Sequence, residues 1–117
     1  MQITWQGLHD EIASHGLDGD TLERRISLLW GQRDTVGSGL AHDFDAAHRF
    51  VRALMPAAEI GMTWIPGLQA WNVVIATSDP RLAVARDHLC AARALLHSAI
   101  EVMAMRESLR AHDRRAA

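Results

Sequence analysis

The sequence predicts an α+β domain in which an antiparallel β-hairpin packs between α-helices, an α-β-β-α sandwich with a long C-terminal helix. Two short runs at 59–65 and 70–77 alternate apolar with polar residues or are rich in β-branched residues, which indicates strands. The stretches on either side carry apolar residues at helical spacing. A hydrophobic fraction of 49% in 117 residues suits one domain with its own core.

The N-terminal segment predicts a short helix over residues 6–15. Leu8 and Ile12 lie four residues apart, on one helical face, and Gly16 offers an end. Residues 2–6 alternate polar and apolar side chains, which leaves an edge strand as the alternative. We expect the helix.

Two further helices are predicted before the hairpin, over residues 20–30 and 43–55. Asp20 and Asp43 each precede an apolar pattern of helical period, and both residue types favour the N-cap position. The segment between the two helices, 31–41, carries three glycines and little pattern. It predicts a loop.

The hairpin is expected to turn at residues 66–69. The Pro-Gly pair there suits a type II turn, whose twist does not fit a two-residue hairpin, so a longer loop is predicted. Trp64 and Trp71 alternate with apolar residues, which is typical of strand residues that face a core. The alternative is a partner-binding platform, for which Trp64 is the better candidate because it lies two residues before the turn.

The last helix is predicted to begin at Ser78 or Asp79, with Pro80 in its first position, and to run for some 30 residues. Such a helix is about 45 Å long, whereas the hairpin is only about 25 Å long. The excess apolar surface must then be covered by the N-terminal helix or by another copy of the chain. The candidate interface residues are Trp64, Leu95, Val102, Met105 and Leu109. We expect a homodimer.

Residues 1–117 are interpreted as a single domain. It comprises an N-terminal segment (1–19), the sandwich core (20–105) and a tail (106–117) that is expected to fray because arginines interrupt its apolar stripe.

The side chains that could carry chemistry do not match a catalytic or metal-binding pattern. His42, Asp45 and His48 lie close in sequence, but their spacing fits no zinc motif, and convergence on a metal is not implied. Cys90 and His97 are seven residues apart on the predicted helix, hence two turns apart. We therefore expect no enzyme and no cofactor, and keep an enzyme that uses the histidines as the least favoured alternative.

Charge and composition restrict the partners and the compartment. The net charge of −2 favours neither nucleic acid nor an acidic membrane. Arg86 and Arg93 are the candidate contacts for a phosphate or an acidic partner, and a small nucleic-acid-binding regulator that uses helix arginines is the alternative function. One cysteine excludes an intramolecular disulfide, and the first residues show no signal-peptide pattern, so we expect a cytoplasmic protein in a bacterium or an infected host.

The stretch from about residue 20 to about residue 100 resembles the phage ABA-sandwich domain, a family of small phage and prophage proteins of mostly unknown function. The resemblance is carried by "DFDAA" at 43–47, by Trp71 in the second strand and by "LCAARALL" at 89–96. It implies the sandwich fold and supplies no catalytic residues. Together with the small size and the lack of active-site motifs, it predicts a non-enzymatic phage accessory protein that contacts a host or phage protein, such as an anti-CRISPR inhibitor of a host defence complex.

Overall fold

The computed structural model describes residues 3–30, 39–78 and 80–116. These residues form four helices and one antiparallel sheet. The helices are α1 (Trp5–His15), α2 (Gly19–Trp30), α3 (Phe44–Leu54) and α4 (Ala91–Ala116). The strands are β1 (Glu59–Ile65), β2 (Ala70–Ser78) and β3 (Arg81–His88), in the order β1-β2-β3. The predicted α+β class, the antiparallel hairpin and the long C-terminal helix are confirmed.

The third strand lies where the sequence indicated the start of the last helix. β3 pairs with β2 from Arg81 to His88, and α4 begins only at Ala91, so the prediction of a helix from Ser78 or Asp79 is wrong. Within β3 the burial alternates at first, with Val84 buried between exposed alanines, which is the pattern of a strand against a core. The antiparallel pairing with β2 outweighs the helical propensity of this alanine-rich segment.

Helix α4 is the central element of the fold. It packs against β2 and β3 on one side and against α1 and α3 on its other sides. Its first half is therefore buried around much of its circumference, including the apolar residues Ala92, Ala94, Leu95, Leu96, Ala99, Ile100, Val102 and Ala104. The buried Ser98 hydroxyl donates a hydrogen bond of 2.9 Å to the carbonyl of Val73, which ties α4 to the middle strand.

Helix α1 confirms the prediction for residues 6–15. Thr4 caps it by accepting from the amide of Gly7 at 2.9 Å, and Gly16 ends it with a φ of +66°. The backbone amides of Trp5 and Gln6 donate to the two carboxylate oxygens of Glu107, each at 2.9 Å. This Glu107 carboxylate satisfies two amides at the positive end of the α1 dipole.

The Glu107 contact joins the N-terminal segment to the predicted tail. Trp5 and Leu8 of the N-terminal segment are buried and belong to the core. Residues 106–116 continue helix α4, and residues 108–115 are exposed. The expected fraying of this tail stays a prediction. The predicted arginine interruption ends the burial of the helix but not the helix itself.

The caps of α2 and α3 differ in how well local sequence predicts them. Asp18, not Asp20, caps α2: its carboxylate accepts from the amide of Thr21 at 2.7 Å, and this hydrogen bond lowers the pKa of Asp18. Asp43 caps α3 as predicted and accepts from the amides of Asp45 and Ala46 at 3.0 and 3.3 Å. Residues 31–38 of the predicted loop at 31–41 lie outside the described residues. The remaining residues, 39–41, form part of a turn.

The Asp43 cap gives a direct stability prediction. Asp43→Ala removes the acceptor for two amides at the start of α3 and is expected to lower the free energy of unfolding by about 1 kcal/mol. Asp43→Asn keeps a capping side chain and serves as the matched control, with a smaller loss. Urea denaturation followed by circular dichroism measures both variants, and equal losses would show that the cap is not the cause.

Candidate interaction surface

Strand β1 forms an unprotected edge of the sheet. It pairs with β2 over its seven residues, and none of the described residues pairs with its other side. Sheet edges of soluble proteins are usually blunted by charges, proline or bulges. β1 carries a single charge, Glu59, at its first position, and no proline. The opposite edge strand, β3, carries Arg81, Arg86 and Asp87, so only β1 lacks this protection.

The side chains of β1 add exposed apolar surface to this edge. Ile60, Met62 and Trp64 alternate along the strand and lie opposite Ile75, Val73 and Trp71 of β2. Because α4 covers β2 and β3, Met62 and Trp64 keep 38% and 43% of their surface exposed.

The two tryptophans meet across the hairpin. Their ring centroids are 5.3 Å apart with an interplanar angle of 61°, an edge-to-face pair. Trp71 packs against the core, whereas Trp64 remains partly exposed on the β1 edge. The structure therefore places the tryptophan that was favoured for a partner contact on an open edge. Its role in binding stays a prediction.

Two predicted interface residues belong instead to the core. Leu95 and Val102 have 0% of their surface exposed, because α1, α3 and the sheet surround this part of α4. Neither residue can contact a second copy, so their assignment to an interface is wrong. Met105 and Leu109, further along α4, are exposed by 36% and 41%. They stay candidates.

The predicted basic contacts, Arg86 and Arg93, do not share one helix face. Arg86 lies on β3 and donates from Nε and Nη2 to the carboxylate of Glu101 at 2.6 and 2.5 Å. Arg93 lies on α4 and donates from Nη1 to the carbonyl of Leu17 at 2.7 Å. Each arginine already has an acceptor within the chain, which weakens the case for a basic binding stripe.

A cavity of about 250 Å³ lies between α1, β3 and α4, bordered by His9, Arg86 and His97 among others. The Nε2 atom of His97 is buried and has no hydrogen-bond partner among the described residues. Burial, followed by the nearby positive groups of His88 and Arg93, lowers the pKa of His97 to about 4. His97 is therefore neutral at pH 7. The centroids of the His97 and His88 rings are 5.5 Å apart, in an edge-to-face arrangement.

The residues considered for a metal do not converge. The ring of His48 stacks on Phe44 at 5.9 Å, whereas the ring of His42 lies against Gly19, the first residue of α2. Over residues 3–30, 39–78 and 80–116, no group of three or more His, Cys, Asp or Glu side chains is arranged to hold a metal ion.

Cys90 lies in the turn before α4 and not inside a helix as predicted. Its amide donates to Nδ1 of His88 at 2.9 Å, and its thiol donates to the carbonyl of Ala41 at 3.5 Å. The thiol thus joins the β3–α4 turn to the residues before α3. The pKa of His88, the acceptor of the Cys90 amide, is lowered by burial and then by the charge of Arg93.

No family model, curated protein or solved structure matches the chain. Membership of the phage ABA-sandwich family therefore stays a prediction from the sequence. In the described part of the chain, no helix combines the length and hydrophobicity needed to cross a membrane.

Sequence reasoning allowed that a dimer could extend the sheet or pair the long helices, but it did not identify β1 as the free edge. The signal was present in "EIGMTWI", which has one charge and no lysine or proline. What local sequence did not show is that β3 joins the other side of β2, which leaves β1, with its single charge, as the other edge.

Proposed function

We propose that the protein acts by protein–protein contact and not by catalysis, and that β1 is its binding edge. The observation that carries this proposal is the unpaired edge of β1 with Met62 and Trp64 exposed beside it. An added antiparallel strand would satisfy the free amides and carbonyls of β1, and its side chains would cover the two apolar residues.

The occupant that fits this edge best is a second copy of the chain. A two-fold axis at Met62 places each β1 residue opposite a β1 residue of the other copy and leaves none of the seven unpaired. Met62 then lies opposite Met62, and Ile60 opposite Trp64, so the apolar side chains share one face. Glu59 lies opposite Ile65, which keeps the two carboxylates at opposite ends of the pair.

The paired edges would form one six-stranded sheet, an ordinary size for a globular protein. The central pairs would join methionine to methionine and tryptophan to isoleucine, the kinds of apolar and aromatic pairs that stabilise neighbouring strands. No like charges meet directly in this register. Association would therefore hide the edge that the monomer leaves open.

Lysine substitutions on β1 test the dimer. Met62→Lys places two ammonium groups opposite each other and is expected to convert a dimer into a monomer at micromolar concentration, measured by light scattering. Thr63→Lys is the matched control, since Thr63 is an exposed residue of the same strand on the opposite face. A monomeric wild type, or a dimer that Met62→Lys leaves intact, would refute pairing at β1.

A cysteine at position 62 tests the register. In a Cys90→Ser background, Met62→Cys is expected to form an intermolecular disulfide, because residues directly opposite each other have Cα atoms about 5 Å apart. Thr63→Cys is expected not to cross-link, since its two copies would lie roughly 8 Å apart. Cross-linking of Thr63→Cys alone would require a different register.

The narrower function is that of a cytoplasmic phage or prophage accessory protein that inhibits a host defence complex, such as an anti-CRISPR. It is supported by the resemblance to the phage ABA-sandwich family. Expression in a defended host is expected to raise the plating efficiency of a targeted phage. An unchanged plating efficiency across the defence types tested would count against this hypothesis. It would not bear on the β1 dimer, which the lysine and cysteine substitutions test separately.

A further inference from the structure

A second cavity lies near the C-terminal half of α4. It has a volume of about 130 Å³ and is bordered by residues 54–58, by Thr77 and Ser78 at the end of β2, and by Arg106. Because a water molecule occupies about 30 Å³ of liquid, the cavity has room for a few waters or for one compact group. It is separate from the β1 edge and from the cavity beside His97.

Among the residues that the structure describes, Arg106 is the only charged one that borders this cavity. Its Nε atom is buried and has no hydrogen-bond partner within the described ranges. Its Nη1 atom donates to the sulfur of Met103 at 3.8 Å, and sulfur is a weak acceptor. Arginine stays charged, and a partly buried charge without an acceptor is unfavourable. The guanidinium therefore has a buried Nε donor without an acceptor and a weakly bonded Nη1 donor, and a nearby anion would stabilise its charge.

Two other arginines, Arg86 and Arg25, differ from Arg106 because each is paired with a carboxylate. Arg86 beside the first cavity is neutralised by Glu101, and Arg25 is paired with Glu11 at 3.1 Å. No carboxylate of the described residues lies within ion-pair distance of Arg106. This contrast selects the Arg106 cavity over the larger one as the place for an anionic ligand.

The rest of the cavity wall suits a small oxyanion. The Thr77 hydroxyl donates to the carbonyl of Pro80 at 2.7 Å, which fixes its position. The hydroxyl of Ser78 lines the cavity, and it has no hydrogen-bond partner among the described residues. Arg52 donates to the carbonyl of Ala58, which holds the connection that forms the opposite wall.

We propose that this cavity binds a compact oxyanion, the carboxylate or phosphate group of a small molecule, through the guanidinium of Arg106 and the hydroxyl of Ser78. Planar guanidinium groups match both kinds of oxyanion with paired hydrogen bonds. The remaining walls, from Leu54 to Ala58, are apolar apart from their backbone. They provide space for a short aliphatic part of a carboxylate ligand.

The test is an NMR titration of the full-length protein with sodium phosphate, acetate and butyrate, each at constant ionic strength against chloride. We expect a saturable shift of the Arg106 Nε–H signal with at least one of the three anions. Tighter binding of butyrate than of acetate would identify a carboxylate with an aliphatic part, and a response to phosphate alone would identify a phosphate group.

Variants separate a specific donor from general charge. Arg106→Gln and Arg106→Lys are both expected to weaken binding by about 10-fold or more, the latter because lysine keeps the charge but not the planar donors. Arg110→Gln, an exposed residue one turn further on α4, is the control and should bind as the wild type does. Backbone spectra report whether each variant is folded.

Two results would overturn the proposal. One is an Arg106 signal that moves linearly with every anion, without saturation. The other is a folded Arg106→Lys or Arg106→Gln variant with wild-type affinity, read from backbone amides at Ser78 and Ala58. Neither result bears on the β1 dimer, because the two sites share no residue.

Discussion

Val102→Glu is expected to unfold the domain. Val102 has 0% of its surface exposed and lies in the part of α4 that the sheet, α1 and α3 surround. A glutamate there would be buried without a partner, or would have to take up a proton, and either costs several kcal/mol. That is comparable to the total stability of a small domain, about 5–15 kcal/mol. Far-ultraviolet circular dichroism and a thermal melt measure the loss.

Leu109→Glu is the matched control for Val102→Glu. Leu109 lies two turns further along the same helix and is 41% exposed, so a charge there stays in water. We expect this variant to melt near the wild-type temperature. A folded Val102→Glu protein with reduced mass in light scattering would contradict the packing and return Val102 to an interface.

The stability of the protein is expected to fall as the pH drops from about 6.5 to about 4. In the folded state the pKa of His97 is lowered to about 4, chiefly by burial. In the unfolded chain the pKa of a histidine is about 6.5. Between these values the unfolded state binds a proton that the folded state does not, so acid favours unfolding.

The size of this effect follows from the shift. A difference of about 2.5 between the two pKa values corresponds to a loss of at most about 3 kcal/mol in the free energy of unfolding. This loss is complete below pH 4, and there is no loss above pH 6.5. The groups that face the ring include His9 on α1, Arg86 on β3 and His88 at the end of β3. The pKa of His88 is also lowered, so it adds loss in the same direction.

Urea denaturation at pH 7.5 and pH 4.5 measures this dependence. His97→Gln removes the titrating group and is expected to flatten the difference between the two pH values, whereas His112→Gln, an exposed residue of α4, should leave it unchanged. An equally steep loss of stability in His97→Gln would mean that other groups dominate acid unfolding.

Local chemistry in the sequence was sufficient for several elements. Asp43 has the side chain of an N-cap, and Gly16 permits the left-handed backbone that ends α1. The turn at 66–69 follows from Pro66-Gly67 between two β-rich runs. These features depend on residues within a few positions of each other, so each can be interpreted without knowing the rest of the fold.

The segment 81–88 shows where local reasoning failed. Its two alanines and Leu82 have helical propensity, and Leu82 begins a seven-residue spacing that continues into α4, yet the alternation of the segment also fits a strand. The choice depended on whether β2 had a free edge to pair with, which no local pattern reports. Assigning this segment to the helix made the helix seem too long for its sheet.

The sequence by itself determined the α+β class, the hairpin and the long C-terminal helix, because caps, turns and apolar periods act over short distances. Only the tertiary structure decided that Leu95 and Val102 are core and that β1 is the open edge. The structure also decided that Glu101 neutralises Arg86, while no carboxylate of the described residues pairs with Arg106. These outcomes depend on residues distant in sequence becoming neighbours, since burial and charge compensation are properties of the packed chain.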